Sequence, residues 1–555
     1  MLYNISMATK KSNTKMKVLY ASFEASPYIK MGGLGDVAGT LPGHIVGPKC
    51  DIRVVVPYLS SIAKQYQLLM KHVGDFSVYS AGGNHDFGLY YIKTRGVTYY
   101  FIKSAEYFNR KNVYGEKDDL ERFVFFTRAI LESIPHMKGF KPQILHCNDW
   151  HTALANLYLR EDYKDKLGEL NIKTVFTIHN LQYQGKYKYA QVKNILELKS
   201  KKAVASVMHK GKVNLMKCGI VVSDCVTTPS PSYAKEIMTG EYGVGLENVL
   251  RAKKDVTLGI LNGIDYVDFN PAWDTNIRVH FNKDLMDRRL GNKIDLQKKF
   301  KLDVDPYACL FCVACRFYEQ KGIDLIIKSV PKIINNGGQI LFLGDGDEAY
   351  KKKIREYKKK YKGKVGMHLQ FDPTLPHNVY AGADVLLMPS KFEPCGIAQM
   401  MAMHYGTLPV VRSTGGLRDT VHDYKPKSLI SNGFVFKNYN LKEFKAALDR
   451  VFGVWNRDQK NWSRMQRRGM EEDFSWNESG RKYTVLYRAI LDGKVNKVEK
   501  ILKAEAAAKA AAKAKSQAAQ AKKNASASQK MAQKIAEEAS NYEFVDISTT
   551  SSDPW

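Results

Sequence analysis

The chain has 555 residues, of which 44% are hydrophobic and 25% are charged, and its formal net charge is +29. Its length predicts about two to four domains, and its composition is typical of a soluble globular protein. No apolar run approaches the ~18 residues of a membrane span, and the first residues lack the apolar core of a signal peptide, so we expect a cytoplasmic protein outside the membrane.

Strand-like apolar runs alternate with helical stretches along the chain. The predicted strands of the first half are Lys17–Phe23, Arg53–Val56, Tyr99–Ile102, Ile144–His146, Thr174–Ile178 and Cys225–Thr228. Those of the second half are Cys309–Cys315, Ile340–Leu343, His368–Phe371, Val385–Met388 and Pro409–Val411. This alternation predicts two α/β domains with mainly parallel, doubly wound sheets, joined by the Gly/Asn/Pro-rich residues 258–273 and facing a cleft.

A glycine-rich segment, residues 30–37, follows the first predicted strand and precedes a helical stretch. Glycines at this place let backbone amides approach a phosphate closely, and Lys30 could add a positive charge. The dinucleotide-binding loop of a dehydrogenase is a competing interpretation. It requires glycines directly at the strand end and an acidic residue ~20 positions later, and neither is present. A purely structural glycine turn is the other alternative.

Two polar clusters follow strands of the first half. Asp149, Trp150 and His151 come after the strand at Ile144–His146, and His179 comes after the next strand. A carboxylate beside an aromatic ring suits a sugar, because the ring stacks on C–H groups while the acid holds hydroxyls. The alternatives are a helix N-cap with Trp150 in the core, and a hydrogen-bonded core histidine. The shared position at carboxyl ends of strands favours a binding site.

The second half carries its charged groups at the same kind of position. Arg316 and Lys321 surround a loop after the cysteine-containing strand, and Glu393 follows the strand at Val385–Met388. The two cations can converge on a diphosphate, which Arg grips bidentately and Lys meets as a point charge. A surface salt-bridge loop is the alternative. No Asp-x-Asp motif stands in a convincing place, so we expect no metal.

Three cysteines, Cys309, Cys312 and Cys315, invite a metal-binding interpretation. On a strand, however, the first and third face one side and Cys312 faces the other. We therefore expect buried thiols rather than metal ligands.

The chain changes character after about Gly493, where an Ala/Lys-rich segment has high helix propensity but no apolar face. A frayed helix or disordered arm is expected there. This tail contains eleven lysines and seven acidic residues, so it supplies only +4 of the net charge. The excess charge is spread over the folded part and suits an anionic small substrate. No specific nucleic-acid partner is expected, although an added nucleic-acid role of the tail is an alternative.

Taken together, these motifs resemble those of the bacterial glycogen synthases and plant starch synthases, retaining glucosyltransferases of the two-domain GT-B type. The matching segments are residues 30–37, 149–151, 177–185, 259–265, 316–322, 393–396 and 413–417. The resemblance extends from about Lys17 to Leu491. Each motif alone is weak, but the ordered set is highly specific.

The resemblance implies transfer of glucose from ADP-glucose to the 4-hydroxyl at the non-reducing end of an α-1,4-glucan such as glycogen or starch. The anomeric configuration would be retained, without a metal or other cofactor. A related retaining transferase that uses UDP-glucose, and a non-catalytic glucan-binding protein, are the alternatives. The resemblance leaves the oligomeric state open.

The same resemblance implies a role for each matched residue. The catalytic residues would be Glu393, His179, Asp149, Arg316 and Lys321. The donor-binding residues would be Lys30, Gly32, Gly33, Gly35, Asp36, Phe371, Cys395, Gly396, Ile397, Thr414 and Gly415. The acceptor-side residues would be Trp150, His151, Tyr114, Asp119 and Arg122. Arg316 and Lys321 would neutralise the departing diphosphate, and Glu393 would hold glucose hydroxyls.

The implied organisation has five parts. These are an N-terminal extension (1–16), an acceptor-side Rossmann-like domain (17–260), a nucleotide-sugar Rossmann-like domain (261–470), a helix returning to the first domain (471–492) and the Ala/Lys-rich tail (493–555). Met31 and Ala398 stand where many members have a polar residue. The segment 370–373 beside the base is also atypical.

Overall fold

The computed structural model describes residues 15–540, without the side chains of residues 509–510, 513–525 and 538–540 in its last helix. The expected extension at 1–16 therefore lies almost entirely outside the described residues, as does the end of the tail at 541–555. The chain divides into two compact units after Val495. The first unit contains two α/β lobes, and the second contains the tail.

The first lobe is built on a nine-stranded sheet with the order β12-β11-β7-β6-β1-β2-β5-β4-β3. Its strands are β1 (Met16–Ala21), β2 (Cys50–Pro57), β3 (Lys71–Ser80), β4 (Gly83–Thr94), β5 (Val97–Lys103), β6 (Ile144–Asn148), β7 (Lys173–Thr177), β11 (Cys225–Thr228) and β12 (Thr257–Gly259). A small separate sheet contains β8 (Lys186–Tyr187), β9 (Met208–His209) and β10 (Lys212–Asn214). Strands β3 and β4 are antiparallel and extend one edge of the large, otherwise parallel sheet.

Helices connect these strands and cover the sheet. They are α1 (Gly33–Ile45), α2 (Lys64–Gln67), α3 (Ala105–Phe108), α4 (Asp119–Ser133), α5 (Ala153–Glu161), α6 (Lys164–Leu167), α7 (Tyr189–Leu196), α8 (Lys201–Val207), α9 (Leu215–Val222), α10 (Pro231–Glu236) and α11 (Glu247–Ala252). All residues of β6 and β11 are buried. Both faces of these strands are buried because helices exclude water from both sides of a parallel sheet.

The second lobe is built on a parallel sheet with the order β15-β14-β13-β16-β17-β18. Its strands are β13 (Leu310–Ala314), β14 (Gln339–Leu343), β15 (Val365–His368), β16 (Val385–Met388), β17 (Leu408–Arg412) and β18 (Phe434–Phe436). Its helices are α12 (Arg289–Lys299), α13 (Ile323–Asn335), α14 (Glu348–Lys360), α15 (Leu375–Gly382), α16 (Ala398–His404), α17 (Gly415–Thr420), α18 (Leu441–Arg457) and α19 (Gln459–Glu471). This strand order is that of the Rossmann fold.

Both sheets have a topological switch point, where the chain reverses its direction of winding. It lies between β1 and β6 in the first lobe and between β13 and β16 in the second lobe. Ligands of open α/β sheets bind beyond the carboxyl ends of strands at such points. The fold class expected from the sequence, two doubly wound α/β domains, is therefore confirmed.

The chain passes between the two lobes twice, at neighbouring places. Ile264, after β12, donates its amide to Phe474 O at 2.8 Å and forms a parallel bridge with Ser475. From there α20 (Trp476–Leu491) runs back onto the first lobe, where the hydroxyl of Tyr487 lies 2.7 Å from His146 Nδ1. The last helix of the first unit therefore packs in the core of the lobe that begins the chain.

Most predicted strands coincide with observed ones, but the strand predicted at His368–Phe371 is wrong. Strand β15 covers Val365–His368, and the loop that follows leads into α15. The loop forms because Asp372 accepts hydrogen bonds from Thr374 N at 2.8 Å and Leu375 N at 3.0 Å, which begins the helix. No strand is predicted from the sequence at β3, β4, β12, β18 or the three short strands β8, β9 and β10.

The cysteine-containing strand has the predicted alternation. Cys309 packs in one apolar cluster with Phe311 and Val313, whereas Cys312 packs in the opposite cluster with Leu310. Among the described residues, no cluster of three or more potential metal ligands occurs. All eight cysteines are free thiols.

The second unit contains α21 (Val498–Ser540), a single helix of 43 residues. Its described side chains are almost all exposed, including Met531 and Ile535. In the part of the chain that is described, no helix combines the length and apolarity that crossing a membrane would require.

Candidate active site

The carboxyl ends of β11 and β16 meet at the contact between the lobes. Ser230, after β11, donates its hydroxyl to Pro394 O at 2.6 Å, next to Glu393 at the end of β16. Tyr233 in α10 is buried, and its pKa is raised by burial and by the nearby carboxylates of Asp149, Glu236 and Glu393. The charges of carboxylates in both lobes therefore raise the pKa of the same tyrosine hydroxyl.

Glu393 and Lys321 form a half-buried ion pair in the second lobe. Lys321 Nζ lies 2.6 Å from Glu393 Oε2, and their side chains are 21% and 7% exposed. Ser390 donates a further hydrogen bond to the same oxygen at 3.2 Å. Gly322 allows this approach, because its φ of +72° is left-handed and a Cβ there would lie 2.2 Å from Pro389 O.

Arg316 lies on the same loop but is exposed, and its guanidinium carbon is 5.6 Å from the centroid of the Tyr318 ring. It makes no ion pair with any residue in the described range. Its charge is thus available to an anion placed beyond the end of β13. Phe371, which the resemblance implies as a donor-binding residue, is 80% exposed in the loop after β15.

The segment Cys395–Ile397 lies directly after Glu393 and leads into α16. Cys395 is buried, and Gly396 has a φ of +70°. The structure therefore places these predicted donor-binding residues at the switch point of the second lobe, next to the ion pair.

The glycine-rich segment lies at the opposite switch point, where it forms the start of α1. Lys30 and Asp36 pair with each other at 2.6 Å, and both side chains are accessible. Gly32 is the N-cap and Gly33 begins the helix. A helix N-terminus at this place favours an anion, but the amides of Met31 and Gly32 just before it are already bonded to Glu24.

Glu24 is the functional-site residue that the sequence analysis missed. It is 4% exposed, and its Oε2 accepts hydrogen bonds from Met31 N at 2.7 Å and Gly32 N at 3.0 Å. Its other oxygen accepts from the Tyr114 hydroxyl at 2.8 Å. This carboxylate thus connects the glycine segment with the acceptor-side residue Tyr114. The sequence signal for Glu24 is its place directly after the predicted strand Lys17–Phe23.

Asp149 and His179 meet at the ends of β6 and β7. Asp149 Oδ1 accepts the backbone amide of His179 at 2.8 Å. Asp149 has a φ of +56°, a conformation that non-glycine residues seldom adopt and that is concentrated at functional sites. Burial raises the pKa of Asp149 to about 7 and lowers that of His179 to about 4. Perturbed groups of this kind in a cleft are candidates for catalysis.

The aromatic acceptor-side residues form one stack. The ring of His151 lies 4.7 Å from that of Tyr114 and 4.3 Å from that of Trp150. His151 is 8% exposed and its buried Nδ1 has no hydrogen-bond partner among the described residues. Gly185 makes room for the indole, since a Cβ at Gly185 would lie 2.3 Å from Trp150.

Asp119 and Arg122 lie behind this stack rather than within it. Arg122 is fully buried and pairs with Asp119 at 2.6 Å. It also donates to the carbonyl oxygens of Tyr107 and Val113, at 3.0 Å and 3.3 Å. These contacts hold the loop that carries Tyr114. The structure therefore places Arg122 in a supporting position.

Thr414 and Gly415, predicted to bind the donor, are engaged by the first lobe. The Gly415 amide lies 3.0 Å from both carboxylate oxygens of Glu236, and the Thr414 hydroxyl donates to Glu236 at 3.2 Å. In return, Asp419 accepts the amide of Ser232 at 2.8 Å. Each helix, α10 and α17, thus has its N-terminus capped by a carboxylate of the other.

Two Rossmann-like lobes with charged groups beyond the carboxyl ends of their strands form a ligand-binding α/β arrangement, and the family matches assign it to the glycosyltransferases. The starch synthase catalytic domain matches residues 17–252, and the glycosyl transferases group 1 domain matches residues 295–468. The chain belongs to the glycogen synthase family. It is 40% identical over 476 residues to the glycogen synthase of Desulfitobacterium hafniense, covering 86% of this chain and 99% of that protein. The glycogen synthase of Clostridioides difficile is 41% identical over 482 residues, covering 86% and 100%.

A solved structure gives the same result. The catalytic domain of starch synthase IV from Arabidopsis thaliana, bound to ADP and acarbose, matches with a TM-score of 0.79 and 31% identity. The match covers 86% of this chain and 100% of that domain. The resemblance noted from the sequence motifs is therefore confirmed, as is the assignment to the glycosyltransferases.

Proposed function

We propose that this protein transfers glucose from ADP-glucose to the 4-hydroxyl at the non-reducing end of an α-1,4-glucan, with retention of the anomeric configuration. The single observation that carries the proposal is the placement of the Lys321–Glu393 pair and the Asp149–His179 pair beyond the carboxyl ends of strands in the two lobes, with Tyr233 influenced by carboxylates of both lobes. A sugar held between these pairs would have its diphosphate on the side of the cations.

Departure of the diphosphate is the step that the second lobe would assist. Breaking the bond to the anomeric carbon leaves negative charge on the diphosphate, and fixed positive charges stabilise that charge most when they need no reorganisation. Lys321 is already held by Glu393, and Arg316 adds an accessible guanidinium. Arg316 supplies a positive charge that no described carboxylate compensates, and Lys321 can donate ammonium hydrogens to the diphosphate while paired with Glu393, so we propose no resident metal.

Glu393 and His179 would bind the transferred glucose. Glu393 Oε2 is engaged by Lys321 and Ser390, which fixes the carboxylate for hydrogen bonds to sugar hydroxyls. His179 is neutral at pH 7, because burial lowers its pKa to about 4. The accessible helix start near Lys30 would meet the diphosphate from the other lobe.

The glucan would lie on the stack of Tyr114, Trp150 and His151. Aromatic rings pack against the C–H faces of sugar rings, and the unpartnered Nδ1 of His151 can hydrogen-bond to a hydroxyl. Glu24 and Asp149 lie next to this stack and could accept hydrogen bonds from the acceptor.

Incubation of the purified protein with ADP-glucose and glycogen tests the proposal. We expect release of ADP together with extension of the glucan chains. A parallel incubation with UDP-glucose separates the alternative donor, which would give UDP instead. Glucan binding without turnover of either donor would favour the non-catalytic alternative and contradict the proposal.

A further inference from the structure

Asn148, the last residue of β6, lies beneath the candidate site and is fully buried. Its amide nitrogen faces two backbone carbonyl oxygens, Ala21 O at 3.0 Å and His146 O at 3.5 Å. Carbonyl oxygens only accept hydrogen bonds. The NH₂ group must therefore face them, and this fixes the direction in which the side-chain oxygen points.

The side-chain oxygen of Asn148 is shared by two groups. The Tyr20 hydroxyl donates to it at 2.9 Å, and Nε2 of His179 lies 2.9 Å away. Burial raises the pKa of Tyr20 well above its usual range, so the phenol stays protonated and remains a donor. Because the amide oxygen has no hydrogen to give, His179 Nε2 must carry the proton of this hydrogen bond.

The same contacts determine the state of the other ring nitrogen. Burial lowers the pKa of His179 to about 4, so the ring carries one proton at pH 7 and Nδ1 retains a lone pair. Within the described residues, Nδ1 makes no hydrogen bond, while the backbone amide of His179 is held by Asp149. The ring is thus held at its backbone and at Nε2, and Nδ1 remains for a ligand.

We propose that Asn148, anchored by Tyr20, is a positioning residue that fixes His179 as the Nε2–H tautomer and thereby presents Nδ1 as an acceptor for a hydroxyl of the transferred sugar. The inference rests on the proposed function of the site and deepens it. In the opposite tautomer, Nδ1 would present a hydrogen and could not accept the proton of a hydroxyl. The site would then bind the sugar with the wrong hydrogen-bond polarity.

The tautomer can be measured without any substrate. The chain has 13 histidines, and a ring ¹H–¹⁵N correlation spectrum of protein labelled with ¹⁵N-histidine separates protonated from unprotonated nitrogens. His179→Gln assigns the signal of His179. We expect a protonated Nε2 and an unprotonated Nδ1 at pH 7, and a mixture of tautomers in Asn148→Leu. A protonated Nδ1 in the unaltered protein, or no change in Asn148→Leu, would overturn the proposal.

Asn156→Leu is the matched control. Asn156 is also fully buried in the first lobe, donating to Val175 O at 3.4 Å and Ser223 Oγ at 2.9 Å without contacting His179. We expect its spectrum to keep the His179 tautomer of the unaltered protein. Tyr20→Phe keeps the packing and removes only the anchoring hydroxyl, so it serves if Asn148→Leu fails to fold. We expect it to shift the tautomer ratio in the same direction but less.

Kinetics provide the second measurement. We expect Asn148→Leu to lower kcat with ADP-glucose about tenfold, the effect of one lost hydrogen bond of about 1.4 kcal/mol, with little change in KM for glycogen. Asn156→Leu should lower kcat less than twofold. If the two variants lost kcat equally, Asn148 would have only a structural role and the proposal would be wrong. Because the spectra need no substrate, they decide the tautomer even if ADP-glucose proves inert.

Discussion

Lys321 Nζ lies 2.6 Å from Glu393 Oε2, although the two residues are 72 positions apart in the chain. The pair joins the loop after β13 to the end of β16, the two strands that form the switch point of the second lobe. Because Glu393 is only 7% exposed, its carboxylate depends on this lysine for compensation of its charge. The proposed roles of both residues in donor binding depend on this pair.

Lys321→Ala and Glu393→Ala should each lower kcat about 10²–10³-fold, the usual loss when one preorganised electrostatic group is removed from an active site. Circular dichroism should show folded protein in both cases. Lys391→Ala is the matched control, because Lys391 pairs with the exposed Glu319 on the same loops. It should keep near-normal turnover. Near-normal rates in the first two variants would reject their roles.

Arg316→Lys should retain the positive charge but lose the bidentate grip on a diphosphate. We expect a smaller decrease in kcat/KM for ADP-glucose than in Arg316→Ala, which should lose about 10²-fold. Arg355→Ala controls for the loss of surface charge, since Arg355 pairs with Glu348 on the exposed side of α14. If Arg316→Ala and Arg355→Ala behaved alike, Arg316 would have no role at the donor.

Asp149→Asn should stabilise the protein at pH 8 but not at pH 4. Burial raises the pKa of Asp149 to about 7, whereas an aspartate in an unfolded chain has a pKa of ~3.9. Between these values the folded protein binds more protons, so its stability decreases as pH rises from ~4 to ~7. The substitution removes the ionisable carboxyl and with it this loss of stability. The Tm of the variant and of the unaltered protein, measured at pH 4 and pH 8, tests this.

Asp224→Asn provides the control of opposite sign. Burial acts to raise the pKa of Asp224, but hydrogen bonds from Thr174 and the charge of Arg160 lower it overall. This carboxylate therefore stabilises the fold above its unfolded pKa, and its removal should lower Tm at pH 8. Should both variants lose stability at pH 8, the assignment of a raised pKa to Asp149 would be wrong.

Glu236→Ala should weaken the contact between the lobes. The variant leaves the buried Gly415 amide and Thr414 hydroxyl without their acceptor, which costs about 1–3 kcal/mol of unfolding free energy. We expect KM for ADP-glucose to change less than twofold, because the Gly415 amide serves the contact between the lobes. A clear decrease in this KM would instead show that Glu236 and the donor compete for the Gly415 amide. That outcome would support the donor-binding role that the resemblance implies for Gly415.

The sequence predicts the second lobe and its charged groups well. Short buried strands such as Val385–Met388 form continuous apolar runs, and the first polar residue after each run marks a strand end. This rule indicates Arg316, and Glu393 follows five residues after its strand; the structure places both near the switch point of the second lobe. The pairing of Lys321 with Glu393 could not be predicted from spacing alone, because it depends on the left-handed turn at Gly322.

The missed features have physical causes. Glu24 lies inside a loop, and its importance arises from contact with Tyr114, 90 residues away. Strand β15 contains Gly366, which interrupts the apolar run, so the pattern favoured the residues after it. Strand β3 is an edge strand with mostly accessible side chains and therefore lacks a continuous apolar run. The partner of Gly415 comes from the other lobe, which local sequence cannot reveal.

The most direct test of the account is the donor assay on the unaltered full-length chain. With ADP-glucose and glycogen, the account predicts stoichiometric release of ADP and incorporation of glucose at non-reducing ends, and much slower turnover of UDP-glucose. Failure of both nucleotide sugars to react, in protein shown to be folded and to bind glycogen, would contradict it.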